Sequence, residues 1–282
     1  MAASGRPRSR RDPPAPRRER SDLAQRILFA LPAIAYALFI VVQGGLVFTL
    51  GLIPLGLICL HELYAMFDRA HPSRLAGMLA LVGMFLAAHF GGVHDLMLVL
   101  VIAVPLTFGL TLMQSPPTRG GAPGVSVTML GITWIGLALA HAVLLRDLPH
   151  GNGIVVDVLV GTFLGDTGAY LGGRAIGTKP LAPRISPKKT VEGLAVGIVV
   201  AVAAVWFAGL YQDWLTGRDA LLLGLGVAIA APVGDLFESY LKRDAGTKDT
   251  GTLFGPHGGA LDRLDAVMFT AVVGYYIWSG LS

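Results

Sequence analysis

The strongest constraint on this chain is a succession of nine apolar runs, each about as long as a bilayer's hydrocarbon core is thick. A crossing helix needs roughly 20 mainly apolar residues, with a range of ~17–25. Runs of that kind cover approximately 27–43, 45–65, 75–91, 95–113, 124–145, 154–173, 191–211, 219–241 and 265–281. Only 14% of the residues are charged, well under the ~25% of a typical soluble domain. Such a chain could not cover its own surface in water, and its natural solvent is lipid. The expected fold is all-α and polytopic, with about nine transmembrane helices. Gln43 and Gly44 leave so short a turn that the first two helices should form a tight hairpin. Cys59 is the sole cysteine, so packing and not an intrachain disulfide must hold the fold.

Residues 1–26 carry eight arginines among Pro, Ser and Ala, without apolar periodicity. This stretch is expected to be a disordered, cytoplasmic basic tail that sets topology, and no nucleic-acid partner is expected. The A-x-A-like sites around Ala33 to Ala37 fall inside the first apolar run and not after it. That predicts an uncleaved first helix. With the amino terminus inside, every one of the 22 basic residues except Arg146 and Arg218 falls on the cytoplasmic side. An odd number of helices keeps that alternation, so the carboxyl terminus is expected outside. Residues 27–282 are then expected to form one transmembrane domain, with polar cytoplasmic loops at about 174–190 and 242–264, where any catalytic chemistry should be sought.

Polar residues with chemical capacity gather around those two loops. Asp166 lies in Gly165-Asp166-Thr167-Gly168 near the inner end of the sixth helix. A carboxylate at membrane depth is costly and usually faces a polar cavity. Gly161, Gly165, Gly168 and Gly172 recur at helical spacing, which predicts close packing on another helix. The following loop brings Arg184, Ser186, Lys188 and Lys189 next to the membrane. On the eighth helix, Asp235, Glu238, Ser239 and Lys242 fall at i, i+3, i+4 and i+7 and form one stripe. Asp262 and Asp265 are three apart and share a face if the ninth helix begins there. Paired carboxylates at a nucleotide site suit Mg²⁺, which prefers one or two carboxylates plus phosphate oxygens. His257 is either a ligand or phosphate donor, or a loop histidine held by backbone. These parts suit nucleotidyl transfer, in which a phosphate monoester is itself the attacker.

Residues 235–265 resemble the signature of the phosphatidate cytidylyltransferases, also called CDP-diacylglycerol synthases. The resemblance runs from Ser239 through Lys242-Arg243, Lys248-Asp249, Gly251 and His257-Gly258-Gly259 to Asp262-Arg263 and Asp265. Residues 166–193 resemble a second stretch of that family, and helices one to five resemble it only in hydropathy. The order Gly255-Pro256, Ala260 and Val191 depart from the usual pattern at turn or packing positions. The resemblance implies an enzyme that joins CTP to phosphatidic acid, giving CDP-diacylglycerol and pyrophosphate. It implies a homodimer in many members, and Mg²⁺ with a candidate monovalent cation such as K⁺ at the same centre. By position, Asp235, Asp262 and Asp265 would be metal carboxylates. Asp249 would be a further essential acid, grouped with Lys248, Ser239 and Asp166 as the catalytic set. Lys242, Arg243, Arg184, Ser186, Lys188, Lys189, His257 and Arg263 would hold substrate, with Ser239 and Lys248 also holding phosphates. The short chain and its tail suggest a bacterial inner (plasma) membrane, with the site on the cytoplasmic side.

Three rival readings remain at this level, the weakest being a CDP-alcohol phosphotransferase, whose Asp-Gly-x-x-Ala-Arg motif is absent. A CTP-dependent lipid alcohol kinase would move the γ-phosphoryl group, and the full His-Gly-Gly to Asp-Arg to Asp run argues against it. A transporter should place its polar groups near mid-membrane, whereas these cluster at one face.

Overall fold

The computed structural model describes residues 19–114, 121–251 and 258–282. The chain is an all-α polytopic membrane protein. Helix α1 spans Glu19–Gln43 and α2 spans Gly45–Met66. A single 3₁₀ turn, Asp68–Ala70, leads to α3, Arg74–Gln114. Next, α4 (Gly121–Gly131) runs through a π-helical segment, Ile132–Leu137, into α5 (Ala138–Asp147). Helix α6 is Gly151–Ile176, α7 is Val191–Gly209, α8 is Gly217–Asp244 and α9 is Leu261–Leu281. Among the described residues, seven helices are long and apolar enough to cross a membrane, and residues 31–43 of α1 form a shorter apolar one.

The expected segments mostly map onto these helices. The first hairpin is as tight as expected, because Gly44 turns the chain with φ of 65°, a conformation that glycine adopts without Cβ strain. The expected runs 75–91 and 95–113 are the two arms of α3, which changes direction at Gly92 (φ 66°). Helix α1 begins at Glu19, ahead of the expected start at 27, and the remaining tail lies outside the described residues. Arg119 and His257 also lie outside them.

The glycine stripe packs α6 onto α7. A Cβ on Gly168 would meet Val200 and one on Gly165 would meet Ala201, so bare backbone is what lets the two helices approach. Thr162 on α6 donates to Thr270 on α9 (3.0 Å), joining a third helix to the pair. The core continues through Leu60, Leu63, Phe85, Ile135 and Leu139, which tie α2, α3 and α5 together. At one end, the Trp214 ring stacks on His150 (4.5 Å) and Trp278 donates to the Pro149 carbonyl (2.8 Å). Aromatic groups of this kind suit a membrane interface.

The expected 174–190 loop contains a feature that the sequence reading did not foresee. Strands β1 (Pro180–Ala182) and β2 (Ser186–Thr190) pair antiparallel. The hairpin is pinned at its base by Glu192, which accepts from the amides of Thr178 (3.0 Å) and Lys179 (3.1 Å) and from the Thr178 hydroxyl (2.5 Å). Thr190 caps α7 by accepting from the Gly193 amide (3.1 Å), satisfying one of the donors that every helix start leaves open.

Candidate active site

The site is built where the ends of α8 and α9 meet the β-hairpin. The stripe on α8 is real: Ser239 donates to Asp235 (3.4 Å), and Lys242 reaches back to Glu238 (2.6 Å). Helix α9 starts at Leu261, with Asp262 in its first turn and Asp265 at the start of the next. Asp235, Glu238 and Asp265 then converge, with ligand oxygens within 4.8 Å of one another. Glu238 and Asp265 are buried. Glu238 Oε1 is buried without a hydrogen-bond partner in this structure. A buried carboxylate oxygen left without a donor is expensive, and a cation among three carboxylates resolves both that cost and their repulsion. The donor set is all oxygen, as a hard divalent ion such as Mg²⁺ requires.

Asp262 stands apart from this group. It accepts from Lys242 (2.9 Å), the Gly259 amide (2.7 Å), the Thr250 amide (3.1 Å) and the Thr250 hydroxyl (3.0 Å). Its oxygens accept from protein donors, and it is Glu238 that groups with Asp235 and Asp265. Lys242 bridges the two sets, since its ammonium touches both Glu238 and Asp262.

The two polar loops face each other as expected. Lys189 at the end of the hairpin forms an ion pair with Asp235. Arg243 donates to the Ile185 carbonyl (3.2 Å), so the hairpin is fastened to the end of α8. Asp166 interacts electrostatically with both Lys189 and Asp235, which brings the α6 carboxylate to the edge of the same centre. Beside it, a cleft between α6, α7 and α8 is lined by Gly161, Gly165, Ala169, Gly197, Ala228 and Pro232. Pro232 has no amide hydrogen, so the Ala228 carbonyl lacks its usual helical donor there.

Over residues 24–280 the chain matches the model of the cytidylyltransferase family. The chain belongs to that family. It is 31% identical to the phosphatidate cytidylyltransferase of Bacillus subtilis, over 91% of this chain and 97% of that protein. It is 32% identical to the phosphatidate cytidylyltransferase of Brucella suis, over 90% of this chain and 93% of that protein. It is 34% identical to the phosphatidate cytidylyltransferase of Mycobacterium bovis, over 57% of this chain. That last match spans about half the relative's length, 55%.

The other expected residues sit around the rim of the site. Arg184 and Lys188 are exposed on the hairpin, and Ser186 is half-buried. Lys248 and Asp249 are exposed in the segment after α8, which is held by Thr247 donating to the Asp249 carbonyl (2.9 Å). Arg263 is exposed on α9.

Sequence reasoning missed Glu62 and Thr250. Glu62 on α2 is buried and accepts from Thr250 (3.2 Å) and from the amides of Ala260 (3.1 Å) and Leu261 (2.9 Å). The available signal was the cost of a carboxylate inside an apolar run, the same signal that drew attention to Asp166.

Proposed function

We propose that this protein transfers the cytidylyl group of CTP to phosphatidic acid, giving CDP-diacylglycerol and pyrophosphate. A phosphate oxygen of phosphatidic acid attacks the α-phosphorus of CTP. The bond from that phosphorus to the oxygen bridging to the β-phosphorus breaks, and pyrophosphate leaves with the electron pair. The observation that carries this reading is the Asp235, Glu238 and Asp265 group beside two lysines, in a member of the cytidylyltransferase family.

Asp235, Glu238 and Asp265 would hold Mg²⁺, and Asp262 would reach the centre through Lys242. When bound, the ion supplies charge neutralisation for phosphate oxygens. The protein's own groups do the remaining work. Lys242 and Lys189 hold the carboxylates in a fixed array and offer positive charge to the phosphates. Arg243 and Lys248 suit the departing pyrophosphate, and Arg184 and Lys188 suit the lipid phosphate at the membrane surface. Asp249 and Asp166 stand at the rim as further acids, with Ser239 orienting Asp235. A monovalent cation such as K⁺ fits the same acidic centre, and a homodimer is the assembly that the family resemblance suggests. The basic-residue bias supports an inside amino terminus, an outside carboxyl terminus and a cytoplasmic site in a bacterial inner membrane.

The test is pyrophosphate release by purified protein in mixed micelles. Release is expected only when CTP, phosphatidic acid and Mg²⁺ are all present, and EDTA should stop it. Release with diacylglycerol in place of phosphatidic acid, or with CTP alone, would overturn the assignment.

A further inference from the structure

We propose that Glu62 is a positioning residue, setting the first turn of α9 so that Asp265 faces Asp235 and Glu238. This inference rests on the metal-dependent reading above and deepens it.

A helix start leaves its first amides without intrahelical acceptors. At α9 the capping position is Ala260, whose side chain accepts nothing. Glu62 takes that role from another helix. One of its oxygens accepts from the Ala260 amide (3.1 Å) and the other from the Leu261 amide (2.9 Å). A negative group at a helix start is also favoured by the helix dipole. The same carboxylate accepts from the Thr250 hydroxyl (3.2 Å), and Thr250 in turn holds Asp262 through its amide (3.1 Å). Helix α2 thereby fixes both the segment leading into the site and the start of α9, from which Asp262 and Asp265 project.

The surrounding glycines fit this role. A Cβ on Gly251 or on Gly259 would strike the Glu62 carboxylate, so both positions leave room for it. Two glycines of the 248–265 stretch thus acquire a physical reason that lies on a helix where the family resemblance is only one of hydropathy.

The experiment measures Mn²⁺ binding to the detergent-purified full chain by electron paramagnetic resonance of free Mn²⁺, alongside thermal unfolding. Glu62→Gln keeps the shape but turns an NH₂ toward the amide or hydroxyl donors. It is expected to weaken Mn²⁺ binding by about 10–100-fold, the usual effect of losing an outer-shell partner. Gly251→Ala displaces the carboxylate without removing it and should weaken binding in the same direction, which keeps the test alive if Glu62→Gln does not fold. Tyr64→Phe removes an unrelated bond on α2, to the Thr128 carbonyl (3.0 Å). It should lower the unfolding temperature and leave Mn²⁺ affinity unchanged. Unaltered Mn²⁺ affinity in both Glu62→Gln and Gly251→Ala would overturn the proposal while leaving the metal reading intact. An equal loss in Tyr64→Phe would also overturn it, by showing general loosening. Absence of Mn²⁺ binding to the unmodified chain would remove both readings together.

Discussion

Replacing Lys242 by Met should cost this protein both stability and activity, and the stability cost can be worked from the structure. The Lys242 ammonium lies 2.6 Å from Glu238 and 2.9 Å from Asp262. The three side chains are 15%, 1% and 9% exposed, respectively. At an effective dielectric constant of ~20, each contact contributes roughly 6 kcal/mol of attraction. Most of that is offset by the desolvation of three charged groups. Removing Lys242 leaves Glu238 buried without its counter-ion, while Asp262 keeps its Gly259 and Thr250 donors, and such losses run to about 3–5 kcal/mol. With about 2–4 °C per kcal/mol for a chain of this size, the unfolding temperature in detergent should fall by on the order of 10 °C. The assay is a thermal unfolding scan of Lys242→Met beside the double variant Lys242→Met/Glu238→Gln. The second substitution removes a stranded charge, so it should restore part of the stability and none of the activity. A fall of less than about 1 °C in the single variant, or a further fall in the double variant, would refute the account of Lys242 as a buried counter-ion.

Two further expectations follow from buried groups away from the site. Asp157 accepts from the Gln212 amide (3.0 Å), while Asp157 Oδ2 and Gln212 Oε1 are both buried without partners. Asp157→Asn supplies the missing donor and should keep or raise the unfolding temperature, whereas Asp157→Ala strands Gln212 and should cost about 1–3 kcal/mol. If Asn proves as damaging as Ala, the two orphan oxygens do not face one another. Gly168→Val forces a Cβ to within 2.8 Å of Val200, and overpacking of that kind costs about 1–3 kcal/mol. An unchanged unfolding scan for this variant would mean that α6 and α7 are free to separate there.

The parts of this fold that were readable in the sequence are those that depend on spacing within one segment. The α8 stripe and the Asp262–Asp265 pair needed only the helical repeat, and the glycines of α6 announced close packing without naming α7 as the partner. What was hidden depends on contacts between distant segments. Glu62 meets Leu261 across 199 positions, and no periodicity in either segment encodes that meeting. The grouping of carboxylates was hidden for the same reason. Glu238 groups with Asp235 and Asp265, while Asp262 lies against Lys242 and Thr250. The hairpin at 180–190 was concealed by its prolines, which correctly forbade a helix but said nothing about strand pairing. Arg146 was one of two basic residues on the sparsely charged side. In the fold it donates to the Val41 carbonyl (2.7 Å), so it closes the end of α1 and is held by backbone there.

The central claim concerns which phosphorus of CTP is attacked, and a labelling experiment decides it. CTP carrying ³²P at the α position is supplied to the purified protein with phosphatidic acid and Mg²⁺, and the chloroform-soluble lipid is counted. The account predicts that α label enters the lipid only when phosphatidic acid is added, and that γ label appears in pyrophosphate. Entry of γ label into the lipid with accumulation of CDP would contradict it, and would make the protein a CTP-dependent lipid kinase.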